Sequence, residues 1–133
     1  MATRHQVRES VIGLLYATDM GNEGVDKFLE EIFEEKKIRN QQRTFALALY
    51  EGVRENKDAI DKAINEQLKE WELDKLGTVE RAILRLGAYE LLFSEVDDAV
   101  AINEAIELAK ELGNDTSPKF VNGVLDALKK VKQ

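Results

Sequence analysis

An all-α fold of about seven helices follows from three features of the sequence. Apolar residues recur at helical spacing almost end to end, no useful stretch alternates as a strand would, and the breaks are short and marked by glycine or polar residues. The first segment, about 3–19, places Val7, Val11, Leu14, Leu15 and Thr18 on one face, and "GNEG" at 21–24 ends it. The second, about 25–36, carries Val25, Phe28, Leu29, Ile32 and Phe33, with Glu30, Glu31, Glu34 and Glu35 outside. The third, about 40–55, shows Phe45, Ala46, Leu49, Tyr50 and Val53, and the fourth, about 57–70, shows Ile60, Ala63, Ile64 and Leu68 before Trp71. Gly77-Thr78 opens the fifth, "VERAILRLGAYELLF", which is apolar nearly all round and so predicts a central helix buried on most sides. The sixth, about 98–112, starts at Asp97 or Asp98 and ends at Gly113, read as a glycine just past the helix end. The seventh opens at "SPKFVNGVLDAL", with Ser117 as N-cap and Pro118 as first helical residue. Its stripe is Val121, Val124, Leu125 and Leu128, and Phe120 lies about a quarter-turn from the stripe's centre.

A chain of 133 residues predicts one domain spanning 1–133. The absence of cysteine excludes a disulfide framework and a thiolate metal site. No stretch reads as a signal peptide or a membrane span, which predicts a cytoplasmic protein. The net charge of −7 is uneven: residues 1–18 carry +1, residues 119–133 carry +3, and the body between them carries −11. Should the two ends meet in space, they form a small phosphate-binding patch of weak, salt-sensitive affinity. The plainer reading, equally consistent with charge alone, is that terminal cations only solubilise.

Parts for catalysis are missing. His5 is the one histidine, with no cysteine and no second histidine to complete a zinc site, and Glu-x-x-His pairs for a di-iron bundle cannot exist. The glycines form neither a Walker loop nor a dinucleotide fingerprint. The reading is therefore a non-enzyme with no cofactor and no metal. "DMGNEGVDKFLE" places Asp19, Glu23, Gly24 and Glu30 at positions of a calcium loop, but its third position is Gly21 and apolar periodicity resumes at Val25, which favours a plain turn. Arg4 and Arg8 stand one turn apart at the start of the first helix, where the helix dipole prefers acids, so they serve either a partner or nothing beyond solvation.

Together, "WELDKLGTVERAILRLGAYELL" (71–92), "VAINEAIELAKELG" (100–113) and "SPKFVNGVLDAL" (117–128) resemble the signature of the transcription antitermination factor NusB family, and "VRESVIGLLYATD" (7–19) resembles its first helix more loosely. The resemblance implies two three-helix bundles packed as one domain. It implies binding without chemistry: pairing with NusE, a small-subunit ribosomal protein, capture of single-stranded boxA RNA from ribosomal RNA leaders, and loading of an antitermination complex onto RNA polymerase. Some members of the family form homodimers that hide the RNA surface.

Mapped onto this chain, the resemblance assigns RNA contact to Arg4, His5 and Arg8, to Tyr16 in the same helix, and to Lys119, Phe120 and Asn122 in "SPKFVNG". It assigns NusE contact to Glu80. Phe120 beside Lys119 at a helix start offers a ring face, a cation and backbone N–H groups within one turn, the elements that hold unpaired bases. For these residues to form one surface, the first and last helices have to lie side by side. The chain departs from the family pattern in an arginine-poorer start, in Gly13, and in the acidic pair Asp97-Asp98. The alternative is a helical protein–protein adaptor that binds no RNA.

Overall fold

The computed structural model describes residues 2–22, 24–68 and 73–132. The expected continuation of the fourth helix to residue 70, and Trp71, lie outside them. Among the described residues there are seven α-helices and no strand: α1 (Arg4–Asp19), α2 (Leu29–Glu35), α3 (Gln41–Glu55), α4 (Lys57–Gln67), α5 (Thr78–Phe93), α6 (Asp98–Leu112) and α7 (Ser117–Val131). No helix among them is long and apolar enough to cross a membrane.

Local chemistry sets the boundaries. Thr3 caps α1 in a reciprocal box: its hydroxyl accepts from the Gln6 N–H at 3.1 Å, and the Gln6 side chain accepts from the Thr3 N–H at 2.9 Å. At the other end the Asn22 N–H reaches the Ala17 carbonyl and the Gly21 N–H reaches that of Thr18, with Gly21 at φ +86°. This closure needs a left-handed residue, which glycine adopts without steric cost. The same motif ends α2 with Lys37 at φ +57°, where Ile38 donates to Phe33 and both side chains are buried. The second segment is not continuous: Val25–Phe28 form a 3-10 turn before α2, and Phe28 is 52% exposed rather than part of the core.

One expected cap is placed differently, and another stands where expected but with a different backbone. Thr116, not Ser117, is the residue before α7, and Ser117 is already helical and buried, with Pro118 next. Gly113 has an extended backbone, not a left-handed one. Its glycine is required by proximity, since a Cβ there would lie 2.5 Å from the Ser117 hydroxyl oxygen.

Packing forms two groups of three helices. α1 packs on α3 and on the 3-10 turn that leads into α2, while α5, α6 and α7 pack on one another. The two groups meet at α5, which α1 and α3 both contact, and α4 fills the remaining side against α5 and α7. As its all-round apolar pattern predicts, α5 buries Ala82 through Ala88 without interruption, then Glu90 and Leu91. Ionic clasps reinforce the junction. Arg85 of α5, itself buried, donates Nε and Nη2 to the two Asp61 oxygens of α4 at 2.9 and 3.1 Å, and Arg81 holds Asp19 of α1 at 2.8 Å. That pairing, and the pairing of Glu30 with Arg43, removes two carboxylates from the calcium-loop reading of residues 19–30.

Candidate nucleic-acid interface

The residues expected to contact RNA fall in two places. α1 and α7 share no packed interface: α1 rests on α3 and α5, α7 on α5 and α6. α7 also packs on α4, and the side-by-side arrangement of first and last helices is replaced by two helices that share α5 as a neighbour.

At the start of α1, Arg4 is exposed and its guanidinium lies 4.3 Å from the centre of the Phe45 ring, a cation–π contact that leaves the charge facing solvent. Arg8 is different. It is 2% exposed and makes a two-pronged ion pair with Glu90 of α5, which is also 2% exposed, at 2.8 and 2.9 Å. A phosphate cannot reach it, and its charge is already matched, so Arg8 holds α1 to α5 and is not an RNA contact. Its place on the buried side follows from the stripe itself, because Val11, Ile12 and Leu15 stand at i+3, i+4 and i+7 from it.

His5 is half-buried, and both ring nitrogens are committed: Nδ1 to Glu104 at 2.5 Å and Nε2 to Glu111 at 2.8 Å, with Glu9 at 3.5 Å. The hydrogen bond that the ring gives to Glu104, joined by the one to Glu111 and opposed in part by burial, raises the imidazole above the ordinary histidine range. Glu9 and Glu111 face each other, and their hydrogen bond raises Glu9 and lowers Glu111, as expected when two carboxylates share one proton. This cluster ties α1 to α6 and makes the surface beside Arg4 more acidic than the sequence suggests.

The second place is the start of α7. Lys119 and Asn122 are exposed and have no hydrogen-bond or ion-pair partner among the described residues, while Phe120 is half-buried with part of its ring against the core. Of the backbone donors expected there, Ser117 is bonded to Asn114, Pro118 has none and Phe120 is bonded to Thr116, which leaves the Lys119 N–H. Tyr16, 40% exposed, sits on this end of the molecule: it lines a shallow cleft with Thr78, Glu80, Leu112 and Asn114. Along α1 it is about 18 Å from Arg4, twelve residues at 1.5 Å each. Glu80 lines the same cleft and accepts a 2.5 Å hydrogen bond from the Ser117 hydroxyl, so it fixes the first residue of α7.

The charge at the C-terminal end is smaller than its composition implies. Lys130 pairs with Asp126 at 3.2 Å, and Lys132 donates to Asp98 at 2.6 Å and to the Leu91 carbonyl at 2.7 Å. The acidic pair Asp97-Asp98 is thus local architecture: Asp97 caps α6 through the Ala99 N–H, and Asp98 holds Lys132.

The sequence profile of the NusB family matches residues 5–130. The transcription antitermination protein NusB of a Nitratiruptor species is 62% identical over 98% of this chain and 94% of its own length. The chain belongs to the NusB family. Its backbone follows T. maritima NusB with a TM-score of 0.88, at 37% identity, over 97% of this chain and 92% of that one. It also follows a chain of the crystal structure of antitermination factors NusB and NusE in complex with dsRNA, with a TM-score of 0.85, at 32% identity and 96% coverage of both.

Three features of the site lie beyond sequence reading: the Arg8–Glu90 pair, the carboxylates around His5, and the Ser117–Glu80 bond. Apart from the local His5–Glu9 pair, each joins residues 37 or more positions apart. Only the first left a signal, an arginine within one apolar stripe and a lone glutamate inside another.

Proposed function

We propose that this protein is a cytoplasmic transcription antitermination factor that binds boxA-type single-stranded RNA together with NusE, as one domain and without a covalent step. The observation that carries the reading is family membership along nearly the whole chain, together with the fold shared with a NusB solved beside NusE and RNA. In this reading Lys119 and Arg4 meet phosphates, Phe120 and Tyr16 offer ring faces to bases, and Asn122 orients one of them. With few free cations and an acidic body, affinity for RNA alone is modest and NusE supplies part of the total.

A gel shift with a boxA-type strand, its duplex form, and each with NusE tests this at two salt concentrations. The expected result is saturable binding of the single strand that weakens with salt and strengthens with NusE. An adaptor that binds only proteins gives no saturable shift. Because Phe120 is half-buried, Phe120→Leu is the informative change: it keeps apolar packing and removes the π face. Loss of one stacked base lowers RNA affinity roughly 5- to 150-fold. Unchanged affinity in the leucine variant removes Phe120 from the site.

Glu80→Lys is expected to weaken NusE binding at least tenfold while RNA binding without NusE stays as it was. Ser117→Ala is the control, because it deletes the same hydrogen bond and leaves the carboxylate in place. If both variants weaken NusE equally, Glu80 acts by holding α7 and not by touching the partner.

A further inference from the structure

We propose that His5, Glu9 and Glu111 form a site for one divalent transition-metal ion of the Zn2+ class, bridging the opening turns of α1 and the last turn of α6. His5 and Glu9 are four residues apart and so project from one face of α1, and Glu111 reaches them from α6. One ligand atom from each lies within 4.8 Å of the others. One imidazole nitrogen with two carboxylate oxygens is a donor set that Zn2+ accepts, with the fourth tetrahedral position left for water. Bonds of about 2.0–2.2 Å would draw the three atoms closer, a movement that side chains 26–42% exposed can make.

What separates this cluster from an ordinary acidic surface is how the imidazole is held. Glu104, outside the three ligands, takes Nδ1 at 2.5 Å and leaves Nε2 aimed at Glu9 and Glu111. The other Glu104 oxygen lies 3.7 Å from Arg8 Nη1, whose guanidinium is locked by the buried pair with Glu90. A carboxylate on the far ring nitrogen, itself anchored, is the arrangement that orients a metal-binding histidine and raises its basicity. Counting only histidine and cysteine excluded zinc at the level of sequence; carboxylates from two helices supply the missing donors. The site does not depend on the RNA reading.

Calorimetric titration of the metal-free protein with Zn2+ is expected to show one saturable site per chain, and Co2+ in its place to give a visible ligand-field absorption. Mg2+, which favours all-oxygen octahedral sites, gives no saturable heat. His5→Gln and Glu111→Gln, each checked for unchanged helical circular dichroism, lower Zn2+ affinity at least tenfold. Glu107→Gln, which breaks only the surface pair with Lys110, leaves it unchanged. Non-saturable uptake by the unaltered protein, or wild-type affinity in either ligand variant, overturns the assignment.

Discussion

Arg8→Ala is expected to lower the stability of the fold by about 3–5 kcal/mol, because it strands the Glu90 carboxylate inside the protein without a counter-charge. Both groups are 2% exposed and the pair is two-pronged, so neither water nor another cation replaces the guanidinium. The desolvation of two ions offsets most of their attraction. Hence the double change Arg8→Met with Glu90→Leu is expected to recover most of the loss, and the asymmetry between single and double variants is the signature of burial. Urea denaturation of the parent and the two variants measures it. A single variant within about 1 kcal/mol of the parent would mean that the pair is hydrated in solution. Under conditions where Arg8→Ala remains folded, the salt dependence of RNA binding is expected to match the parent, since no phosphate contact has been removed.

Leu125→Ala carries the second large effect, about 2–5 kcal/mol. Leu125 is fully buried where α7 crosses α5, over Gly87, and a Cβ on Gly87 would stand 2.7 Å from Leu125 Cδ1. The close approach couples the two positions. In the parent, Gly87→Ala gains about 1 kcal/mol of helix propensity but has to push the leucine aside. In the Leu125→Ala background that obstacle is gone, so the same substitution is expected to stabilise by about 1 kcal/mol. A double-mutant cycle by thermal or chemical unfolding reads the difference, and strictly additive values would place the helices farther apart than described.

The helices were legible because a 3.6-residue period leaves a trace in every turn. Val121, Val124, Leu125 and Leu128 mark the buried face of α7 in the sequence, and all four are buried. The centrality of α5 was legible for the same reason. Boundaries were less so, since they depend on single residues: Thr116 and Ser117 both carry a hydroxyl suited to capping, but Thr116 precedes α7 without a side-chain cap bond, and the Ser117 hydroxyl is engaged by Glu80 and Asn114. Lys37 in the left-handed region has no marker at all, because lysine is not a turn residue and the closure of α2 imposes the conformation.

The sequence shows which residue types could meet RNA, and not how the fold arranges or occupies them. Lys119 and Asn122 are exposed as a contact surface requires, but an arginine's availability depends on which acid the fold brings to it. Arg4 and Arg8 look alike in the sequence, and only one remains open. The lysines at the C-terminal end illustrate the same limit, since Asp98 reaches Lys132 from 34 positions away.

Five helices lean on α5, two of them from the first group and two from the second, with α4 as the fifth. The first group has no complete interior of its own, because it borrows a helix of the second as its inner wall, and that helix in turn has a face that only the first group covers. Melting one half therefore bares apolar surface that the other half still needs covered, and the protein comes apart in one step instead of shedding a bundle at a time.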